Sequence, residues 1–186
     1  MIIFYFILLG ILCLITIVMC VWVGLSAVGI FVSAVPFVPA QAHIIDAVAQ
    51  EIGTDTAPIL YDLGCGNGKV LFGLAKLLPR GRFIGIEIAP WPYLLAWIQK
   101  KIRKEDRVTI IRGNIFTYDI SPATHVFVYL LPKVNVKLLP VLQEKCKKGT
   151  VIFTCDFPFK ELTPTKVISF DERTLEFGQK LYVYTL

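Results

Sequence analysis

The 186-residue chain has room for one domain of ordinary size and one appendage, which excludes a multidomain protein. It is 55% hydrophobic with a mean hydropathy of +0.66, yet residues 1–45 contain no Asp, Glu, Lys or Arg, so all 19 basic and 14 acidic side chains follow them. This distribution excludes a disordered chain and predicts an apolar leader before a globular domain. The net charge is only +5 and the sequence has no Lys/Arg run longer than two, so nucleic acid is not the favoured partner.

The leader at residues 1–35 exceeds the roughly 20 apolar residues that a helix needs to cross a bilayer. We expect one transmembrane helix that ends at Pro36 and Pro39, because proline cannot donate a backbone hydrogen bond. A cleaved signal peptide is the alternative, since Ala40-Gln41-Ala42 resembles a cleavage site, but the leader has no basic n-region and its apolar run is long. Neither flank has a nearby Lys or Arg, so charge does not orient the helix.

Beyond the leader, short apolar strands alternate with amphipathic helices. Ile44, Ile45, Val48 and Ile52 recur at helical spacing, and later helices begin or end at proline or glycine. The order predicts an α/β doubly wound, mostly parallel seven-stranded sheet with helices on both faces, whose last two strands pair antiparallel because no crossover helix separates them. The predicted helices are 41–52, 69–78, 91–104 and 134–147, and the predicted strands are 57–63, 82–88, 108–112, 125–131, 150–155, 166–170 and 180–185.

A glycine-rich loop, Asp62-Leu63-Gly64-Cys65-Gly66-Asn67-Gly68, follows the first predicted strand at the edge where open α/β sheets bind ligands. Its glycines let backbone amides approach a ligand closely. Glu87 ends the second strand, where a carboxylate can accept hydrogen bonds from both hydroxyls of a ribose. The pattern predicts an adenosine-containing cofactor. NAD is an alternative, although the G-x-G-x-G spacing differs from that of dinucleotide folds, and a glycine turn without any ligand is another.

The segments ILYDLGCGNG, GIEIAP and RGNIFTYDI resemble the cofactor-binding motifs of class I S-adenosylmethionine-dependent methyltransferases over residues 57–186. The resemblance implies a Rossmann-like fold with S-adenosyl-L-methionine as cofactor. It implies that the glycine loop cradles the methionine end, that Glu87 holds the ribose, and that Asp62 orients the loop or meets the ammonium group. Asn114, where the family more often has Asp, and the amide of Ile115 would border the adenine. The implied cofactor-binding residues are Asp62, Gly64, Cys65, Gly66, Asn67, Gly68, Glu87, Asn114 and Ile115.

A narrower resemblance concerns the whole chain. The leader, Pro36-Phe37-Val38-Pro39 and Cys155-Asp156-Phe157-Pro158-Phe159 are similar to the small membrane-anchored protein-lysine N-methyltransferases, which include the enzyme that modifies the c subunit of ATP synthase and an archaeal relative. Ala40 stands where that group often has Thr or Ser. The resemblance implies a transmembrane anchor at 1–35, a connecting segment with an amphipathic helix at 36–56, and a catalytic domain at 57–186.

Methyl transfer to lysine requires an uncharged amine held in line with the donor, and burial lowers the pKa of an amine. In the family fold the fourth strand delivers residues beside the methyl group, so we expect Tyr129 to contact the amine; a structural aromatic is the alternative reading. Structural roles are expected for His43 and His125. A strand-end or turn role is expected for Asp119 and Asp156, with assistance to the amine as the alternative. The five cysteines are scattered without a C-x-x-C, so the sequence shows neither a zinc site nor a disulfide framework. A chain without a disulfide framework fits a reducing compartment.

The expected partners are a lysine on a membrane or membrane-associated protein, and the lipid bilayer through residues 2–35. The catalytic domain would then face the cytoplasm. Two alternatives stay open: methylation of a membrane small molecule such as a quinone or lipid precursor, and an inactive cofactor-binding anchor that recruits a partner through basic residues at 100–104 and 145–148. Those basic residues could also contact anionic headgroups.

Overall fold

The computed structural model describes residues 2–33, 40–170 and 177–186, with side chains described at residues 4–24 and throughout the two later ranges. These residues form five helices and seven strands. The helices are α1 (Ile2–Ser33), α2 (Ala42–Ile52), α3 (Lys69–Leu77), α4 (Pro90–Arg103) and α5 (Pro132–Lys145). The strands are β1 (Ile59–Leu63), β2 (Arg82–Glu87), β3 (Val108–Arg112), β4 (His125–Val128), β5 (Val151–Cys155), β6 (Lys166–Ser169) and β7 (Lys180–Thr185).

The strands form one sheet in the order β3-β2-β1-β4-β5-β7-β6. The first five strands are parallel, and β7 runs antiparallel to both of its neighbours, β5 and β6. The predicted α/β fold, a mostly parallel seven-stranded sheet with a terminal antiparallel pair, is therefore confirmed. The order of the chain reverses between β1 and β4, which is where the carboxyl ends of strands in such a sheet leave a crevice.

Helices cover both faces of the sheet because neighbouring strand residues point to opposite sides. One face buries Leu60, Phe83 and Phe127 against α2, α3 and α4, and the other buries Leu63 and Val128 against α5. Complete burial of each such side chain stabilises the fold by about 1.5–3 kcal/mol. Helix α2 follows the predicted spacing, and its apolar face belongs to the first of these two cores.

Helix α1 is apolar on all sides and stands apart from these cores. Its segment Phe4–Gly24 has a mean hydropathy of 3.0, and none of this segment is buried inside the protein. At 1.5 Å per residue its 21 residues extend about 30 Å, the thickness of a bilayer's hydrocarbon layer. A signal sequence shares this pattern. Pro36 and Pro39, which we expected to end the helix, lie outside the described residues.

The fourth strand is shorter than the sequence predicted. It ends at Val128 rather than at residue 131, because Pro132 occupies the first turn of α5, where its missing amide and fixed φ are favourable. Tyr129, Leu130 and Leu131 therefore form the loop that leaves the sheet at its carboxyl edge. This loop lies beside the end of β1, since Leu63 is paired with Val128.

Candidate functional site

The carboxyl edge of the sheet brings the candidate residues into one row. Strand β1 leads into the glycine loop, and β2 ends at Glu87 on one side of it. On the other side β4 leads to Tyr129, and β5 leads to Asp156. The segment after β3 contains Asn114 and lies at the end of this row, next to β2. Residues that are far apart in the chain thus follow one another in the order of the strands.

The glycine loop turns sharply between β1 and α3. Gly64 and Gly68 have φ angles of 89° and 80°, in the left-handed region that side chains disfavour. The Gly64 amide donates to the carbonyl of Ile86 at 2.9 Å, which fastens the loop to β2. A Cβ atom at Gly64 would lie 2.9 Å from Leu130 Cδ2, so the loop also packs closely against the segment after β4.

Glu87 is buried and supports the loop from β2. Its Oε2 accepts a hydrogen bond from the Gly66 amide at 2.9 Å, and its Oε1 accepts one from the Ala89 amide at 2.8 Å. Each carboxylate oxygen has two lone pairs, so both oxygens can accept a further hydrogen bond. Glu87 therefore can hold the glycine loop and a hydroxyl-bearing ligand at the same time.

Asp62 is buried at the end of β1, and its Oδ2 has no hydrogen-bond partner within the described part of the chain. Burial, followed by the nearby charge of Glu87, raises the pKa of this carboxyl to about 8. A buried carboxyl without a partner costs free energy that a cationic ligand group would recover. The residues of this edge thus fit a cofactor that carries both a ribose and an ammonium group.

Cys65 and Asn67 have structural contacts within the loop. The Cys65 thiol is buried, and burial raises its pKa, so it stays protonated and is a poor nucleophile. The Asn67 side-chain oxygen accepts from the Lys69 amide at 3.2 Å at the start of α3. The main-chain oxygen of Asn67 accepts from Gln99 Nε2 at 3.1 Å, which ties the loop to α4.

Asn114 and Ile115 lie where the sequence predicted them, in the turn after β3. The Asn114 carboxamide oxygen accepts from the Phe116 amide at 3.0 Å, which leaves the two amide hydrogens of the side chain to meet a ligand. Asn114 is exposed, and Ile115 packs partly against the core beside α5. Their role at the adenine stays a prediction.

Tyr129 and Asp156 form a hydrogen-bonded pair at the other end of the row. The Tyr129 hydroxyl donates to Asp156 Oδ2 at 2.8 Å, and burial, followed by the charges of Cys155 and Asp156, raises the pKa of the phenol. The Asp156 carboxylate also accepts from the amides of Gly178, Gln179 and Lys180 at 2.6, 2.8 and 3.1 Å. Tyr129 therefore keeps its proton at neutral pH and directs it toward Asp156.

Sequence reasoning missed two residues that shape this edge. Asn135 in α5 is buried; its Nδ2 donates to the Phe157 carbonyl at 2.8 Å, while its Oδ1 has no partner among the described residues. Gly85 in β2 leaves room for Cys65, because a Cβ atom there would lie 2.6 Å from the Cys65 sulfur. A glycine inside a strand is a sequence signal for such close approach, whereas nothing local singles out Asn135.

The other polar candidates have structural partners. His43 Nε2 hydrogen-bonds the Gly178 carbonyl at 2.7 Å, and His125 Nδ1 hydrogen-bonds the Thr124 hydroxyl at 2.8 Å. Burial lowers the pKa of His125, which favours a neutral ring. Asp119 accepts from the Ser121 amide in a turn at 2.9 Å. The described residues contain no group of three or more His, Cys, Asp or Glu side chains that could hold a metal ion.

Comparison with known proteins places these observations in a family. Residues 62–166 match the model described as the ANTKMT methyltransferase domain. A protein-lysine N-methyltransferase of Saccharolobus islandicus (strain REY15A) is 32% identical over 155 residues, which cover 82% of this chain and 96% of that protein.

Solved structures show the same fold. A structure described as an RNA methyltransferase from Salinibacter ruber, in complex with S-adenosyl-L-homocysteine, is 33% identical with a TM-score of 0.72, and the match covers 80% of this chain and 93% of that one. A SAM-dependent methyltransferase from Aquifex aeolicus is 16% identical with a TM-score of 0.59, over 76% of this chain and 88% of that one. The second likeness shows the fold alone.

Proposed function

This chain belongs to the ANTKMT methyltransferase family and depends on S-adenosylmethionine, and we propose that it methylates a lysine side chain of a membrane or membrane-associated protein. The row of strand ends carries the proposal: Asp62 and Glu87 lie on the cofactor side, and Tyr129 with Asp156 lies on the adjoining side. The printed name of the Saccharolobus relative supports lysine as the acceptor.

The proposed cofactor contacts follow the strand order. Glu87 would accept hydrogen bonds from the ribose hydroxyls, Asp62 would face the ammonium group, and Asn114 with the Ile115 amide would border the adenine. The loop residues Gly64, Cys65, Gly66, Asn67 and Gly68 would enclose the methionine end with their backbone. The bound cofactor supplies an electrophilic methyl group on a sulfonium sulfur, so the protein has to orient the acceptor and exclude water.

Gly64→Ala tests the role of the loop, and Gly149→Ala is its matched control. Both glycines have φ of 89°, but an added Cβ at Gly149 meets nothing within 4 Å, whereas at Gly64 it meets Leu130. Each change should destabilise the protein by about 1–3 kcal/mol through backbone strain. Only Gly64→Ala should weaken S-adenosylmethionine binding, by roughly tenfold or more, in a calorimetric titration. Equal affinities of the two variants would contradict the proposed cradle.

Tyr129 is proposed to orient the acceptor amine. A lysine with a pKa near 10.4 is presented uncharged at pH 7 at a cost of roughly 4–5 kcal/mol, which burial at an apolar site reduces. Because the Tyr129 proton is directed to Asp156, the lone pairs of its oxygen are available to an N–H of the incoming amine. The main-chain oxygens of Leu130 and Leu131 are further acceptors. With its N–H groups held in this way, the amine would keep its lone pair for attack on the methyl group, and S-adenosylhomocysteine would be the leaving group.

Tyr129→Phe should lower kcat by roughly tenfold to 100-fold, since one hydrogen bond to the reacting amine is lost. Binding of S-adenosylmethionine should change by about twofold or less, because Tyr129 lies on the acceptor side. Single-turnover rates and calorimetric affinities measure the two effects. Tyr182→Phe removes the hydroxyl of another partly buried tyrosine, in β7, and should leave both unchanged. An unchanged rate in Tyr129→Phe would make Tyr129 a structural residue.

We also propose that α1 anchors the enzyme by crossing the membrane once, with the catalytic domain in the cytoplasm. The length and hydropathy of Phe4–Gly24 support the span, and all five cysteines are free, as in a reducing compartment. The anchor is residues 1–35, the connecting segment is 36–56, and the catalytic domain is 57–186. The anchor would keep the active site near the bilayer surface, which favours acceptors on membrane proteins.

The acceptor class is tested by incubating the full chain with methyl-labelled S-adenosylmethionine and membranes that retain bound RNA. We expect the label in the protein fraction and its recovery as methylated lysine after acid hydrolysis. Label only in the solvent-extracted fraction would favour a quinone or lipid precursor instead. Label only in RNA would favour the substrate class in the description of the Salinibacter structure.

A further inference from the structure

Helix α4 presents an apolar face to solvent. Trp91, Leu94, Ile98 and Ile102 recur at spacings of three and four residues, which places them along one side of the helix. All four are exposed, Ile102 to 76%. We name these four residues the outer face of α4. Such a continuous apolar stripe marks an interaction surface, because soluble surfaces expose large apolar side chains singly.

The opposite side of α4 packs on the glycine loop and on α3. Ala96 is fully buried, Gln99 donates to the Asn67 carbonyl, and the Arg103 guanidinium lies 5.0 Å from the ring centroid of Phe72. These contacts fix the rotation of the helix. The outer face therefore cannot turn inward without breaking the contact with the glycine loop.

Basic side chains are concentrated in the last turn of α4, and of these Lys101 lies beside the outer face. From residue 90 to residue 104 the chain has four basic residues and no acidic one: Lys100, Lys101, Arg103 and Lys104. Trp97 borders the outer face with 42% of its surface exposed, and the Lys101 ammonium lies 5.5 Å from its ring centroid. Tryptophan and lysine beside aliphatic residues are the composition of helices that lie in the interface of an anionic bilayer.

Helix α1 contacts α4 in the folded chain, so the apolar anchor and the outer face belong to neighbouring elements. We propose that the outer face of α4 lies in the headgroup region of an anionic membrane, next to the point where α1 enters it. This inference rests on the proposed anchor but does not depend on the acceptor. This docking would place the glycine loop, which Gln99 of α4 contacts, close to the bilayer surface.

Tryptophan quenching in the full chain tests this proposal. The Trp22→Phe variant keeps only Trp91 and Trp97 as reporters on α4, and the double variant Trp91→Phe with Trp97→Phe keeps only Trp22 in α1. Both are reconstituted into vesicles of phosphatidylcholine with phosphatidylserine, in which some lipids carry a spin label near the headgroup end of the acyl chain. We expect most of the α4 emission to be lost to the lipid-borne label and little to iodide in the water.

The quenching results distinguish failure of the proposed docking of α4 from failure of the proposed α1 anchor. Quenching of α4 by iodide but not by lipid would overturn the docking, and protection from both quenchers would assign the outer face to a protein contact instead. If Trp22 is accessible to iodide and not to labelled lipid, the anchor itself is refuted, and the docking with it. In vesicles of phosphatidylcholine alone the lipid quenching of α4 should fall; equal quenching would overturn the preference for anionic headgroups.

Discussion

Replacing Glu87 with alanine is expected to weaken binding of S-adenosylmethionine by roughly 100-fold or more. The change removes the proposed ribose contacts, and it also leaves the amides of Gly66 and Ala89 without their acceptors. Hydrogen bonds to a charged group contribute about 1.5–3 kcal/mol each, so the loss of more than one produces an effect of this size. Calorimetric titration of the full chain in detergent micelles measures the affinity.

The control for this prediction is Glu144→Ala, the same substitution at an exposed position of α5. It should bind the cofactor as the unmodified protein does. Glu87→Gln keeps one acceptor oxygen and should lie between the two. If Glu87→Ala is folded and binds S-adenosylmethionine within about threefold of the unmodified protein, the ribose site is not at the end of β2.

Cofactor binding is expected to strengthen as the pH rises from about 6 to about 8, because Asp62 must lose its proton to face an ammonium group. Burial and, to a smaller extent, the charge of Glu87 together raise the pKa of Asp62 to about 8. Below this pKa the carboxyl of the cofactor-free protein is neutral, so the affinity should fall by up to about tenfold for each pH unit. Titrations at a series of pH values measure the slope.

Asp62→Asn should bind S-adenosylmethionine more weakly and lose most of this pH dependence, because an amide does not titrate. Asp119→Asn alters an exposed turn residue outside the row of strand ends and should keep the slope of the unmodified protein. The amine of the cofactor also titrates, but it contributes equally to the pH dependence of all three proteins, so the difference between their slopes reports on Asp62. An unchanged slope in Asp62→Asn would remove Asp62 from the binding site.

The same carboxyl affects the stability of the cofactor-free protein in the opposite direction. Its ordinary pKa is 3.8, so between about pH 4 and 8 the folded state holds a proton that the unfolded state has released. Stability therefore falls as the pH rises through this window, by up to about 1.4 kcal/mol per pH unit, and the loss is complete above about pH 8. Asp62→Asn should remove this contribution in thermal unfolding without cofactor.

The fold was predictable because its signals are local. Alternating apolar runs, and the prolines and glycines between them, predicted all seven strands and the four helices α2 to α5. The common position of Asp62 and Glu87 was predictable for a related reason: in a parallel sheet, residues that end successive strands meet at one edge. No distant contact had to be known in advance, so the proposed cofactor side of the row followed from the strand pattern.

The proposed acceptor side was less predictable because contacts between residues far apart in the chain determine it. The sequence singled out Tyr129, but its hydroxyl is directed by Asp156, which in turn is held by the backbone amides of Gly178 and its neighbours. Asn135 supports the Phe157 carbonyl from α5, 22 residues earlier in the chain. Neither spacing nor composition reveals such pairs. The same holds for Gln99, whose contact with Asn67 couples α4 to the glycine loop.

Calorimetric titration of the unmodified full chain with S-adenosylhomocysteine, and separately with NAD, tests the cofactor site most directly. We predict saturable heat with one ligand per chain for S-adenosylhomocysteine, and none for NAD, because the glycine loop and the Asp62 carboxyl suit an amino-acid end rather than a second nucleotide. Folded protein that gives no heat with S-adenosylhomocysteine or S-adenosylmethionine would contradict the site proposed at the ends of β1 and β2.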